Sequence, residues 1–228
     1  MDEAYTLTEL SPMRKVIAAR MSDAKRTIPH FRVTADIEMD ALVKLRRDLQ
    51  QAGHEVSLND LLVKACALAL VEVPSVNVQW AEDGIHQFRT ADISIVTAVA
   101  GGLSTPIIRN ADSKSVLQIA SELRELVQRA GRNALKLHEI QGGSFSISNL
   151  GMYGVDQFDA IVNPPQCAIL AIGSAKPQAV VGADGQIRVA SVLRATLSVD
   201  HRAIDGVAAA TFLGALRRHV ERPEQLAA

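Results

Sequence analysis

Apolar residues recur at helical spacing in five stretches and in strand-like runs between them. Met13, Val16, Ile17, Met21 and Ala24 form one stripe, opened by Ser11-Pro12 as an N-cap followed by proline in the first turn. Pro29 follows, and Phe31 to Glu38 predicts a strand. Asp40 to Gln51 predicts a helix ending at Gly53. In SLNDLLVKACALALVEVP, Ser57 caps and Pro74 stops a core helix. Leu58, Leu61, Leu62, Ala65, Cys66, Ala69 and Val73 face one way there, and Asp60 and Lys64 the other. Residues 76–89 predict a hairpin turning at Asp83-Gly84, and ADISIVTAVAGGLSTPIIRN predicts two strands joined at Gly101-Gly102. An amphipathic helix then runs from about Ser113 to Gly131. Val116, Ala120, Leu123, Val127 and Ala130 point inward on it, with Glu125 and Arg129 paired on its wet side. GSFSIS, CAILAIG and RVASVLRATLSV predict strands, and a helix from Val207 to Arg222 closes the chain. Hairpins interleaved with helices predict a mixed-sheet α/β sandwich, not the regular alternation of a Rossmann fold.

Composition narrows the class. The 228 residues carry 48% hydrophobic and 21% charged side chains, enough for a self-sufficient core, and no repeat or linker divides them. A net charge of -1 and only 4% aromatics argue against a nucleic-acid partner. No apolar run reaches the ~18 residues of a membrane span. MDEAYTLTEL is acidic and has no apolar core, so it resembles neither a signal nor a transit peptide. Cys66 and Cys167 sit in apolar runs as buried thiols of a reducing compartment. The expectation is a soluble intracellular enzyme or assembly.

Most familiar chemistry is excluded by spacing. No histidine has another three or four residues away, and CxxC, HExxH, GxxxxGK[ST] and GxSxG are all missing, so no metal is expected. Two segments remain. In SVDHRAIDG an alternating strand ends at His201 and a helix begins near Gly206, which aims an imidazole from a turn; Asp205 follows four residues later. Taken alone, HxxxD also fits a surface histidine and a helix-capping aspartate. In GGSFSISNLG, Phe145 and Ile147 share one face while Ser144, Ser146 and Ser148 share the other. That hydroxyl row fits an oxyanion donor at a strand end, and equally a solvated face.

Together these segments resemble the dihydrolipoamide acyltransferases, the E2 components of 2-oxo acid dehydrogenase complexes. DHRAIDG matches the family's DHRxxDG signature, and FSISNLGMYGVDQFDAIVNPPQCAILAIG the segment before it. MRKVIAARMSDAKRTIPHF resembles the opening helix and DISIVTAVAGGLSTPIIRNADSKS the central hairpin. The likeness divides the chain into a tail, 1–8, and an acyltransferase catalytic domain, 9–228. The family's lipoyl and peripheral-subunit-binding domains have no counterpart, so the chain reads as a catalytic core alone. The resemblance implies a chloramphenicol-acetyltransferase-like fold in homotrimers that build a cubic (24-mer) or icosahedral (60-mer) core. It implies acyl transfer between coenzyme A and a lipoyl group carried on another domain, closest to the acetyl-transferring pyruvate type. It implies lipoyl domains as partners, with the E1 and E3 components reached through regions absent from this sequence. The expected compartment is the bacterial cytoplasm, with the mitochondrial matrix as the alternative.

In residue terms the resemblance implies His201 and Asp205 as the motif pair, Ser148 as the hydroxyl donor, and Arg14 and Lys15 near coenzyme A. Such a transfer needs no nucleophile from the protein, because both substrates bring sulfur. It needs a base with a pKa near neutrality, as imidazole has, and one oxyanion donor. Asp205 reads as orienting the loop by pairing with an arginine, Arg202 being the candidate. The alternatives are a same-fold coenzyme A acyltransferase with another acceptor, a branched-chain, acetoin or 2-oxoglutarate type, and a non-enzymatic scaffold.

Overall fold

The computed structural model describes residues 4–99 and 102–227. In chain order the elements are α1 (Pro12–Thr27), β1 (His30–Glu38), α2 (Asp40–Gln51), α3 (Leu58–Glu72), β2 (Val78–Ala81) and β3 (Gly84–Gln87). Next come β4 (Ile93–Ile95), β5 (Thr97–Val99), β6 (Gly102–Ser104), β7 (Ile107–Ile108) and α4 (Val116–Gly131). The last are β8 (Phe145–Asn149), β9 (Ala168–Ile172), β10 (Lys176–Val181), β11 (Ile187–Asp200) and α5 (Gly206–Glu221).

A seven-stranded sheet in the order β1-β11-β9-β8-β4-β7, with β10 paired to the first half of β11, carries the structure. The β4–β8 and β8–β9 pairs are parallel and the rest antiparallel, which is the mixed sheet expected from the element order. Strand alternation sorts the side chains onto two faces. Phe145, Ile147, Leu170, Ile172, Leu193, Leu197 and Val199 join the core made with α3, α4 and α5. Phe145 and Phe212 meet there with ring centroids 5.3 Å apart.

The other sheet face is polar, yet it is not wet. Ser94, Ser146, Thr196, Ser198 and Asp200 are all buried. Ala24, Ile28 and Val162 pack over Ile169 on this side. The solvated-face reading of the hydroxyl row is therefore wrong for Ser144 and Ser146. Ser146 donates to Gln166 Oε1, and Gln166 Nε2 donates to Ser94 Oγ at 2.9 Å, so Gln166 bridges two of the buried hydroxyls, while Ser198 Oγ has no partner among the described residues.

Helix starts follow their caps. Ser57 and Asp60 form a capping box on α3, and Ser115 and Gln118 another on α4. Asp60 and Lys64, on the face of α3 opposite its leucines, are buried too: Asp60 is held by the box, and Lys64 Nζ donates to the Asp112 carbonyl at 2.6 Å. α4 starts at Val116, just after its Ser115 cap, rather than at Ser113. Val127 is exposed, and Ile119 and Leu126 are buried in the stripe with Val116, Ala120, Leu123 and Ala130.

The central hairpin is also more divided than two strands. Its inner halves, β4 and β7, belong to the large sheet, and its outer halves, β5 and β6, form a separate ribbon. Gly101 of the expected turn lies outside the described residues. The 76–89 hairpin turns one residue early, at Glu82–Asp83, with Ala81 opposite Gly84. β10 was not legible as a strand, since KPQAVV is exposed nearly throughout and pairs only with β11. Of the tail, 1–3 lie outside the described residues and 4–8 are exposed, with no helix or strand. Cys66 and Cys167 are buried free thiols, and burial pushes Cys167 up to about 12.

Candidate active site

The DHRAIDG turn is knit by its backbone. β11 ends at Asp200, whose N–H donates to the Cys167 carbonyl at 2.8 Å, and whose carbonyl accepts the N–H groups of Ala203 and Ile204 at 3.0 Å. His201 N–H donates to the Pro29 carbonyl at 3.1 Å. The imidazole itself projects from the turn, exposed, with the edge of one ring toward the other in its contact with Phe31.

The arginine of the motif does not pair with Asp205. Arg202 folds back onto Asp200 instead, giving Nε to Oδ1 at 3.0 Å and Nη2 to Oδ2 at 2.6 Å. The Asp200 carboxylate raises the Arg202 pKa, and the guanidinium lies 4.6 Å from the centroid of the Trp80 ring. Asp205 faces the other way. It is the N-cap of α5, exposed, and its Oδ1 accepts the Ala208 N–H at 2.8 Å. A carboxylate at a helix start is favoured by the unpaired N–H groups and the dipole there, so the loop is oriented through a cap and not through an ion pair.

Ser148 stands near the end of β8, half-buried, opposite Ala171 of β9. It opens onto a cleft of ≈ 730 Å³ whose apolar walls include Met39, Leu62, Leu123, Ile172 and Leu193. Asn149 ties down the strand end: its Oδ1 accepts the Gly151 N–H at 2.9 Å and its Nδ2 donates to Asn59 Oδ1 at 3.2 Å. Gly173, just past β9, lets the chain at Asp156 cross closely, because a β-carbon there would collide with the Asp156 carbonyl.

The structure brings His201 and Asp205 into one turn but leaves Ser148 far from them. Ser148 is level with Ala171, and Ala171 with Thr196 of β11. His201 lies five residues beyond Thr196 and two strands over. At about 3.3 Å per residue and about 4.8 Å per strand the two positions are roughly 15–20 Å apart, far beyond the reach of a shared proton or hydrogen bond. Arg14 and Lys15 are exposed on α1, and neither lines the cleft beside Ser148. Burial pushes the pKa of His30 down. Its Nδ1 donates to the Ile28 carbonyl at 2.9 Å and its Nε2 accepts the Val162 N–H at 3.1 Å. This fixes it as a neutral structural histidine. Sequence reasoning missed Trp80, Asp200 and Phe31. The signal for Trp80 was its solitude, the only tryptophan of the chain on a short ribbon.

The family described as 2-oxoacid dehydrogenases acyltransferase (catalytic domain) matches residues 2–228. The chain belongs to this family. The dihydrolipoyllysine-residue acetyltransferase component of the pyruvate dehydrogenase complex of Zymomonas mobilis is 46% identical over 226 residues, covering 97% of this chain and 51% of that protein. The chain spans about half the length of the curated relatives it matches. Two solved structures superpose with a TM-score of 0.93 at 30% identity, covering 99% of this chain and 95% of theirs. One is the cubic core of the pyruvate dehydrogenase multienzyme complex. The other is Azotobacter vinelandii dihydrolipoamide acetyltransferase, studied for the role of a serine, a histidine and an asparagine in its catalytic mechanism. Chloramphenicol acetyltransferase shares the fold alone, at 14% identity and a TM-score of 0.56, over 92% of this chain and 95% of its own.

Proposed function

We propose that the chain is the acyl-transferring core of a pyruvate-type 2-oxo acid dehydrogenase complex, moving an acetyl group between coenzyme A and a dihydrolipoyl arm. His201 takes the proton of the coenzyme A thiol as its sulfur attacks the thioester carbon of the acetylated lipoyl group. The carbonyl oxygen becomes an oxyanion that accepts the Ser148 O–H. Collapse breaks the old carbon–sulfur bond, and the leaving lipoyl thiolate takes the proton back from His201. The reverse transfer uses the same groups.

Each site is then shared between two copies in a ring of three, with His201 from one and Ser148 from its neighbour. The single observation that carries this reading is the distance between those residues within one chain. Apolar exposure near each half supports it: Val207 and Phe31 flank His201, and Met152 and Tyr153, 84% and 67% exposed, follow Ser148. The Azotobacter histidine and asparagine stand four positions apart, as His201 and Asp205 do. Asparagine caps a helix as well as aspartate but transfers no proton near neutral pH, which supports a capping role for Asp205. Arg14 and Lys15, exposed on a helix with no acid in its first turn, are the cations we assign to the coenzyme A phosphates. The compartment proposed is the bacterial cytoplasm, supported by bacterial relatives such as those of Rickettsia bellii and Zymomonas mobilis, while a relative in Schizosaccharomyces pombe is mitochondrial.

Complementation tests the reading. His201→Ala and Ser148→Ala chains are each nearly inactive alone. In rings assembled from an equal mixture every boundary pairs the His face of one copy with the Ser face of the next, so about a quarter of sites regain both groups. The two must be co-expressed or refolded together, with mixing verified by mass spectrometry. Mixed rings with no recovered acetyl transfer from acetyl-coenzyme A to dihydrolipoamide overturn the shared site.

A further inference from the structure

We propose that Trp80 is a positioning residue for His201, acting through Arg202: the indole face holds the guanidinium in place, the guanidinium holds Asp200, and the turn that carries the imidazole is thereby fixed from outside the sheet. This inference rests on the reading of His201 as the base, but its geometry stands without it.

Asp200 is 1% exposed and its main chain is bonded on both sides of His201, to Cys167 before it and to Ala203 and Ile204 after it. Its carboxylate is clamped by the Arg202 fork and also accepts the Arg202 N–H at 3.0 Å. Arg202 is the soft member of this set, a long side chain about one-third exposed. The Trp80 ring beneath it removes the alternatives, since a guanidinium stacks flat on an indole while keeping its donors for the carboxylate.

Trp80 is itself placed by backbone bonds. Its N–H donates to the Pro165 carbonyl at 3.0 Å, and the Cys167 N–H donates to the Val78 carbonyl at 3.2 Å. These tie the β2–β3 ribbon to the chain entering β9, beside the end of β11. The indole is 39% exposed and stands outside the main core, so core packing does not account for it. A ribbon with little packing of its own thus presents one large flat ring to the arginine next to His201.

The test is steady-state acetyl transfer by the assembled protein. Trp80→Leu is expected to lower kcat by about 3- to 30-fold, the range of a partly desolvated cation–aromatic contact, with the KM values for coenzyme A and dihydrolipoamide unchanged. Trp80→Phe, which keeps a ring face, is expected to restore most of that loss. Arg202→Lys keeps the charge but loses the planar fork, and is expected to lower kcat at least as far. Because the two residues act in series, W80L with R202K is expected to be no slower than R202K alone. Wild-type kcat in W80L, an additive double variant, or a loss confined to KM each overturns the inference. Should W80L not assemble, wild-type kcat in R202K overturns it equally. Retained turnover in H201A defeats the base reading itself. An inactive H201A beside a fully active W80L or R202K defeats only the role given to Trp80.

Discussion

Phe31 of β1 and His201 meet edge to face, with ring centroids 4.8 Å apart and planes at 67°. The β1–β11 register sets this contact, pairing Phe31 with Val199 and His30 with Asp200 as the strand runs out. An aromatic pair of this kind contributes about 0.5–1.5 kcal/mol and penalises rotamers that swing the imidazole away. Phe31→Leu is expected to lower kcat by about 2- to 10-fold without changing the oligomeric mass. Steady-state kinetics with mass photometry check this, and a wild-type kcat would remove Phe31 from the mechanism.

Two serines two positions apart on β8 should fail differently. Ser148→Ala is expected to lower kcat by about 10²–10³, as for loss of one oxyanion donor, with the KM for coenzyme A little changed. Ser146→Ala removes the donor to buried Gln166 and is expected to cost about 1–3 kcal/mol of stability. Parallel kinetics and thermal melts separate the two. A Ser148→Ala effect confined to KM would reassign that hydroxyl to ground-state binding.

The cap at α5 gives a third expectation. Asp205→Asn keeps an acceptor for the Ala208 N–H and should hold both stability and turnover near wild type. Asp205→Ala loses the cap and should cost about 0.5–2 kcal/mol. If the Asn variant proves as inactive as His201→Ala, Asp205 acts on the proton rather than on the helix.

His30 makes stability depend on pH. Burial lowers its pKa in the fold, against the opposing pull of the Ile28 carbonyl, while Lys25 and Arg32 lower it further and Asp200 raises it. Below the ordinary histidine pKa of 6.5 the unfolded chain takes up a proton that the folded chain refuses. Stability therefore falls as pH drops from neutrality through 6.5 toward the folded value. Protonation would also cost Nε2 its bond from Val162. Melts between pH 7.5 and about 5 should show a shallower acid loss in His30→Gln than in wild type, starting from a lower neutral-pH stability. Identical acid slopes would exclude His30 as the titrating group.

The helices were legible where apolar period and cap agree, as at Ser57, whereas the start of α4 was set too early because its cap, Ser115, was not singled out. The turn at His201 was legible because alternation through Val199 stops there. What the sequence hid was partnership across distance. Asp205 was expected to meet Arg202 because they are close in sequence. The side chains diverge at the turn, Arg202 folding back along the strand and Asp205 forward along α5. The hydroxyls of Ser144 and Ser146 looked wet because alternation reports which face a residue takes, not what covers that face. The partner of Lys64 was hidden for a related reason, being a carbonyl 48 residues away in sequence.

The spacing between His201 and Ser148 also bears on the life of an unassembled chain. A newly made copy exposes an imidazole with Ser148 out of its reach, so under the proposed chemistry it lacks the donor that stabilises the tetrahedral adduct. Thioesters in its surroundings are safe from it until a neighbour docks. Ring closure would then serve as the enzyme's ignition, and dilution below the association threshold would extinguish it without any change in the fold of a single copy.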